Sequence, residues 1–241
     1  MKFARHSPSS LMLFCECPSL FVLEKILGRK QPVSAPAHRG SAVEDGITVG
    51  LLDPKAAIEL CVSEGLAKYD RVSALSCDSR REEYRATVPG MIAEGLQELR
   101  PYGVPTGTQN WVEWHPEGLR YPIVGKFDFS FEHHGIVVDL KTTEKLPSRI
   151  KTTHARQVAL YCQGNQEGRL SYLTPKRRAT YLLEDPAAHL AALYRIAQAC
   201  ERWLALSDDP QFFVGITGLN ADAYFFNDPA ARTAAFEAWG Y

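Results

Sequence analysis

The sequence predicts an α/β fold in which helices flank a mixed β-sheet. Two runs of alternating apolar residues, Ile123 to Phe131 and Ile136 to Thr142, flank the triplet His133-His134-Gly135 and indicate an antiparallel hairpin. Segments with helical apolar spacing and capping residues come before and after this hairpin. This order of helices, strands and helices is typical of a sheet covered by helices.

The N-terminal segment predicts short helices that begin at proline. Ser7 is a natural cap and Pro8 suits the first helical position, and a second helix should run from Ser19 to Leu27 and end at Gly28. Prolines and small residues predict a linker from Gln31 to Ala37.

Two longer helices should follow this linker. Asp53-Pro54 predicts the cap of an amphipathic helix through about Val72. A helical stretch from Arg80 to Leu99 should be interrupted at Val88-Pro89-Gly90, because proline removes a helical hydrogen bond. Neither helix carries recognisable chemistry, so we expect them to form core or the walls of a groove.

The second half of the chain predicts further elements around the hairpin. Trp111 to His115 alternates as a strand and should extend the hairpin into a three-stranded meander. Pro147-Ser148 and Gly164 bound a predicted helix from Arg149 to Gln163. The other predicted elements are strands at Arg169 to Leu173 and Ala179 to Leu183, a helix from Asp185-Pro186 to about Leu206, and a last helix begun by Asp228-Pro229.

Composition predicts one globular domain. The chain has 241 residues, of which 45% are hydrophobic and 23% charged, enough for a single core. We expect one domain over residues 1–241, with a mainly helical part at 1–100, the sheet and its helix at 104–183, and a helical part at 185–241. The formal net charge of −1 excludes a polycation, so nucleic-acid affinity needs a local patch; from Lys141 to Arg178, nine Lys and Arg stand against two Asp and Glu.

Several classes of protein are not expected. The sequence has no run of eighteen apolar residues and no signal-peptide pattern, so we expect a cytoplasmic chain that does not enter a membrane. A phosphate-binding loop of ATPases is also absent from it. Six cysteines in a chain with a normal core suit reduced thiols: Cys15, Cys17, Cys61, Cys77, Cys162 and Cys200.

The predicted hairpin brings charged side chains together. A turn centred between His133 and His134 makes Asp128 and Asp139 cross-strand neighbours, whose side chains would be about 5 Å apart. Lys141 shares the face of Asp139, because strand side chains alternate between faces. The sequence therefore predicts two carboxylates and an ammonium group on one patch.

This patch favours the chemistry of a metal ion. Two carboxylates so close repel each other unless a divalent cation lies between them, and Mg²⁺ takes carboxylate oxygens while it keeps several waters. A neighbouring lysine can hold the attacking water or stabilise charge on the phosphorus centre. The hypothesis is hydrolysis of a phosphodiester; the alternative for each residue alone is a solvated strand end or turn.

Three motifs in order strengthen the hypothesis. Gly125-x-x-Asp128, Val138-Asp139-Leu140-Lys141-Thr142 and Gln157-x-x-x-Tyr161, the last pair on one helix face, together resemble the active-site set of the PD-(D/E)XK nucleases. The resemblance is to the RecB-like and lambda-exonuclease-like branch, in which Gly125 to Asp128 matches a looser form of the first motif. It implies a restriction-endonuclease-like core.

The resemblance also implies a third acidic ligand. In RecB-like members a Gly-x-x-x-His pattern supplies a metal ligand, and Gly40 to Glu44 matches it with Glu, within a predicted first helical turn at Arg39 to Asp45. An acidic residue in a first turn is otherwise favoured by the helix dipole alone. The implied ligands of Mg²⁺ or Mn²⁺ are Glu44, Asp128, Asp139 and the carbonyl of Leu140.

The resemblance further implies roles and partners. Lys141 would position the nucleophilic water, and Gln157 with Tyr161 would contact the scissile strand or Lys141. The implied activity is that of an exonuclease acting on DNA ends in recombination or repair, in a bacterial or phage-infected cell. A strand-annealing or recombination protein and a second copy of the chain are candidate partners. The candidate DNA-binding residues are Arg149, Lys151, Arg156, Lys176, Arg177 and Arg178.

Other interpretations remain open at this point. Some relatives carry an iron–sulfur cluster held by one N-terminal and three C-terminal cysteines, but only Cys200 follows Cys162, so we expect no cluster. A DNA-binding or assembly protein with little cleavage and an endonuclease of the same superfamily are the alternative functions. His133 and His134 have no Cys or His partner at zinc-site spacing.

Overall fold

The computed structural model describes residues 3–162 and 166–241. Their packing divides the chain into two compact units. The first unit comprises Met1–Pro32, Glu113–Gly125 and Ala187–Tyr241, and the second comprises Val33–Val112 and Lys126–Pro186. The single domain stays a prediction. No helix among the described residues has the length and apolar character needed to cross a membrane.

Helices in the second unit pack tightly on one another. They are α3 (Ala35–Leu52), α4 (Ile58–Val72) and α5 (Arg81–Leu99), and they follow α1 (Pro8–Glu16) and α2 (Pro18–Phe21) in the chain. A Cβ atom on Gly46 would lie 2.6 Å from the carbonyl oxygen of Cys61 and 2.4 Å from Cδ1 of Ile92. Glycine is therefore required where α3 approaches α4 and α5.

The boundaries of these helices differ from the prediction. α3 begins at Ala35, so the linker ends at Ser34. Asp53 ends α3 rather than capping the next helix, because its Oδ1 accepts a hydrogen bond from the Lys55 N–H in a tight turn. The predicted interruption of α5 is wrong, because Pro89 lies inside a continuous helix. Val88, Met91 and Ile92 are buried in the core, so packing compensates for the lost hydrogen bond.

A mixed sheet forms the other layer of the second unit. Among the described residues its strands are, in order across the sheet, β1 (Gly107–Thr108), β4 (Phe129–Phe131), β5 (Ile136–Thr142), β6 (Glu167–Leu173) and β7 (Arg178–Leu182). β4 and β5 are antiparallel, β5 and β6 are parallel, and β6 and β7 are antiparallel. The prediction of a mixed sheet flanked by helices is confirmed.

The central hairpin has the predicted register. Phe129 pairs with Val138 and Phe131 with Ile136, so one step further Asp128 lies opposite Asp139. The turn closes through Glu132–His134 and Gly135, whose φ of +66° suits glycine.

The first strand of the hairpin is shorter than predicted. The run from Ile123 to Phe131 is broken, because the N–H of Phe127 donates to the carbonyl of Asn110. β3 (Ile123–Lys126) instead pairs with β2 (Trp111–Trp114) in a two-stranded ribbon. The three-stranded meander is therefore wrong, and β1 takes the place beside β4.

The helix that connects β5 to β6 starts later than predicted. α6 (Thr152–Tyr161) begins after Lys151, whose N–H donates to Oη of Tyr172 while its backbone stays extended. Oη of Tyr181 donates to the carbonyl of Pro147. These contacts with the sheet hold the preceding segment out of the helix. The predicted end at Gln163 and Gly164 lies outside the described residues.

The first unit is mainly helical. Ser7 caps α1 (Pro8–Glu16) as predicted, and its side chain forms a capping box with Ser10. The short helix α2 (Pro18–Phe21) continues as a π-helical turn over Val22–Ile26. The other helices are α7 (Pro186–Leu204), α8 (Pro210–Ile216) and α9 (Pro229–Trp239). Asp228 caps α9 as predicted, whereas α8, capped by Asp209, was not predicted.

Candidate active site

A small cavity in the second unit collects the predicted site residues. It has a volume of about 160 Å³ and opens beside the carboxyl half of β5. α3 and α6 contribute one predicted side chain each to its wall, and the remainder come from β5 and the residue that precedes β4. The predicted residues that line it are Glu44, Asp128, Asp139, Leu140, Lys141 and Gln157.

Asp128 is held by two hydrogen-bond donors. Its Oδ2 accepts from the N–H of Leu140 at 2.6 Å, and its Oδ1 accepts from Nε2 of Gln109 at 3.1 Å. Burial, and next the charge of Asp139, raise the pKa of Asp128 to about 7. The carboxyl group is therefore oriented before any ligand binds.

Gln109 is a site residue that the sequence did not reveal. Its backbone N–H donates to the carbonyl of Asp128, and its φ of +54° is unusual for a side chain other than glycine. Nineteen positions separate the two residues, and no motif links them. Lys126 was also missed; it lines the cavity, and its charge opposes the rise in the pKa of Glu44.

Asp139, which is buried, forms an ion pair with the partly exposed Lys141. Nζ of Lys141 is 2.5 Å from Oδ2 of Asp139, whose side chain is 1% exposed. Burial raises the pKa of Asp139, and Lys141 opposes the rise. Burial disfavours the charge of Lys141, but the carboxylates of Asp139 and Asp128 outweigh it and hold the pKa of the ammonium group above its usual value.

Glu44 lies in the middle of α3 rather than in the predicted first turn. The sequence contains the missed signal: Ser34 precedes Ala35-Pro36, which matches a cap with proline at the start of a helix. The helix-dipole explanation for Glu44 is thus removed. Burial, and next the charge of Asp128, raise the pKa of Glu44 to about 8.

Gln157 and Tyr161 lie on one face of α6, as predicted. Nε2 of Gln157 donates to Oη of Tyr161 at 2.8 Å, and the tyrosine is 3% exposed. Burial, and next the charge of Asp139, raise the pKa of Tyr161 above its usual range. The tyrosine therefore orients Gln157, which reaches the cavity.

A family model of the PD-(D/E)XK nuclease superfamily matches residues 5–229. The chain belongs to the PD-(D/E)XK nuclease superfamily. It is also similar to the crystal structure of SSO0001, with 17% identity over 89% of this chain and 100% of that chain and a TM-score of 0.39. Comparison with proteins of curated function gave no significant match.

The divalent cations used in this superfamily require oxygen ligands, which the cavity contains. Among residues 3–162 and 166–241, no three His, Cys, Asp or Glu side chains stand at metal-coordinating spacing. The oxygens of Asp128 instead accept protein hydrogen bonds, and Asp139 contacts Lys141. The donors nevertheless fit a hard cation, because their carboxyl pKa values are raised by burial and mutual repulsion that a cation would relieve.

The candidate DNA-binding residues of this superfamily member differ in their environments. Arg149 and Lys151 are exposed in the segment before α6, and Lys176 and Arg177 are exposed in the turn between β6 and β7. Arg156 is half-buried on α6. The guanidinium of Arg178 instead contacts three side chains of α5: Glu94, Gln97 and Glu98. DNA binding by these residues stays a prediction.

We expect Gln109→Met to weaken binding of a divalent cation at Asp128. Methionine keeps an unbranched side chain but removes the donor to Asp128, and loss of a residue that orients a ligand costs about 10- to 100-fold in metal affinity or activity. The Mg²⁺ concentration for half-maximal DNA cleavage should therefore increase. Gln211→Met, at an exposed glutamine of α8, is the matched control. An unchanged Mg²⁺ requirement would show that Gln109 does not position Asp128.

Proposed function

We propose that this superfamily member is a divalent-metal-dependent deoxyribonuclease. The observation that carries the proposal is the convergence of Asp128, Asp139 and Lys141 in one cavity, with the Lys141 ammonium 2.5 Å from Asp139. A fixed ammonium group beside carboxylates that can hold a metal ion is suited to an anionic substrate, because both cations can neutralise its charge. The substrate class that fits both is a phosphodiester.

Each residue of the cavity then has a proposed role. Glu44, Asp128, Asp139 and the carbonyl of Leu140 would hold Mg²⁺ or Mn²⁺. When bound, such an ion polarises the phosphate and makes water a better nucleophile. Lys141 orients the attacking water and stabilises negative charge that develops on the phosphate oxygens.

Gln157 and Tyr161 of α6 would bind the DNA strand that is cleaved. Gln157 reaches the cavity with its amide oriented by Tyr161, so the amide can donate to a phosphate oxygen next to the cleaved bond. A neutral donor adds orientation without adding charge to a cavity that already contains an ammonium group. Gln157 and Tyr161 are therefore proposed to position the scissile strand.

We propose that cleavage proceeds from DNA ends, as in the RecB-like and lambda-exonuclease-like branch. The support is the motif order, in which Gly125-x-x-Asp128, Asp139-x-Lys141 and Gln157-x-x-x-Tyr161 follow one another. A role in recombination or repair, beside a strand-annealing protein, follows from that proposal.

The test compares end-labelled linear DNA with covalently closed circular DNA in Mg²⁺, Mn²⁺ or EDTA. We expect metal-dependent loss of linear DNA and intact circles. Cleavage of closed circles would replace the exonuclease by an endonuclease. Intact linear DNA in both metals, with DNA binding retained, would overturn the proposed catalysis.

A further inference from the structure

A histidine beside the cavity has a hydrogen-bond arrangement that the proposed mechanism does not use. His154 lies in the first turn of α6, three residues before Gln157, so the two side chains share a helix face. Its Nδ1 is 2.9 Å from Oη of Tyr172. Tyr172 is 1% exposed and pairs with Lys141 in the register of β5 and β6.

The hydrogen bonds of Tyr172 favour one tautomer of His154, because an O–H of this buried phenol that pointed elsewhere would lack an acceptor. A backbone N–H can only donate, so Oη of Tyr172 accepts from Lys151 at 3.2 Å. Within the described residues, the remaining polar contact of this phenol is His154 Nδ1, which leaves the single O–H hydrogen to point at that nitrogen. Nδ1 therefore accepts, and the neutral imidazole carries its hydrogen on Nε2.

The environment keeps this imidazole neutral. Burial, and next the charges of Lys141 and Lys151, lower the pKa of His154 to about 4. At neutral pH the side chain is therefore an uncharged donor with a fixed direction. In the part of the chain that the structure describes, its Nε2–H has no hydrogen-bond partner, and the side chain is only partly buried.

We propose that His154 donates from Nε2 to a non-bridging phosphate oxygen of the DNA strand beside the cleaved bond, and that Tyr172 is the positioning residue that holds this tautomer. The inference rests on the proposed nuclease function. The chemistry favours a phosphate acceptor, because Gln157 and Lys141, which line the cavity, are donors as well. His154 and Gln157 of α6 and Lys141 of β5 would then bind the backbone of one DNA strand.

The experiment measures binding and cleavage separately. Affinity is measured for a short linear duplex with Ca²⁺ in place of Mg²⁺, and KM and kcat are measured with Mg²⁺. We expect His154→Ala to weaken binding and raise KM about 10- to 100-fold, the size of one hydrogen bond to a charged group, with a smaller effect on kcat. His154→Gln, whose amide can replace the Nε2 donor, should restore most of the affinity.

A second readout follows the tautomer itself. In ¹⁵N NMR of the metal-free protein, His154 should show the Nε2–H form alone, whereas Tyr172→Phe should give a mixture of both tautomers and several-fold weaker DNA binding. Thermal unfolding of each variant accompanies both measurements. A purely structural pair would lower the unfolding temperature and leave DNA affinity unchanged, which would overturn the proposal.

The outcomes separate this inference from the proposed function. Weakened binding by His154→Ala alongside a wild-type protein that binds but does not cleave would support the phosphate contact and remove the catalysis. Normal cleavage by wild type together with unchanged binding and KM in His154→Ala would keep the nuclease and overturn the contact. An Nδ1–H tautomer in the wild type would overturn the role of Tyr172.

Discussion

Lys141→Ala should reduce DNA cleavage by about 100- to 1000-fold, the usual cost of removing one preorganised group that stabilises transition-state charge. The ammonium group is placed by the buried carboxylates around it, 2.5 Å from Asp139. Their charges hold its pKa above the usual value despite burial, so the side chain stays charged over the whole working range of pH. In the proposed mechanism it therefore faces the phosphate as a fixed cation.

The same variant should also lower the stability of the metal-free protein. Removing the ammonium leaves Asp139 buried without its partner, and loss of one member of a buried ion pair costs about 3–5 kcal/mol. The carboxyl groups can offset part of this by taking up protons, so the loss should be smaller at pH 5 than at pH 8. Added Mg²⁺ should recover part of it at pH 8.

The effect of Lys141→Ala on the cleavage step is measured by single-turnover cleavage of end-labelled DNA with excess enzyme, which excludes product release. Lys55→Ala, at an exposed lysine in the turn after α3, is the matched control and should cleave at the wild-type rate. A Lys141→Ala rate within tenfold of wild type would remove Lys141 from the chemistry and leave it as a structural cation for Asp139.

Local sequence patterns predicted the register of the hairpin and therefore the pairing of Asp128 with Asp139. Alternation of apolar residues and the turn at His133 and His134 act over a few positions, and the buried face allows no slip by one residue. The faces of Lys141 and Gln157 followed from the same short-range periodicity. These parts of the site could be predicted because the signals lie within the elements themselves.

The parts that the sequence did not reveal depend on contacts between distant segments. β1 has two residues and is defined by its pairing with β4, so no periodicity marks it. Gln109 takes its place through a hydrogen bond to Asp128, and the start of α6 is set by the phenol of Tyr172. Proline disfavours a helix, but α5 continues through Pro89 because the adjacent Val88 is fully buried in the core.

Asp128→Asn should abolish cleavage while it stabilises the metal-free protein. Asparagine can keep both hydrogen bonds: its Oδ1 accepts from Leu140, and its amide donates to Gln109 once that amide is flipped. The variant thus removes one partly buried charge with little change in shape. Each kcal/mol of charge repulsion removed should raise the unfolding temperature by about 2–4 °C at this chain length.

The stability of the metal-free protein should depend on pH. The pKa of Asp128 is raised from 3.8 to about 7 and that of Glu44 from 4.5 to about 8, so between pH 4 and 8 the folded chain holds protons that the unfolded chain releases. Wild-type stability without metal should therefore decrease as pH rises through this window, since unfolding is favoured wherever the folded state binds more protons. Asp128→Asn should show a shallower decrease.

Mg²⁺ should reverse the decrease in stability with rising pH in the wild type but not in Asp128→Asn. Ligands must lose their protons to bind a metal, so added Mg²⁺ should raise the wild-type unfolding temperature more at pH 8 than at pH 6. The asparagine variant should respond little at either pH, because a neutral amide replaces one carboxylate. Thermal unfolding with Mg²⁺ or EDTA at both pH values measures this difference, with Asp208→Asn at an exposed aspartate as control. Equal stabilisation of wild type and Asp128→Asn by Mg²⁺ would place the metal away from Asp128, and the carboxylates of this cavity would then need another explanation for their convergence.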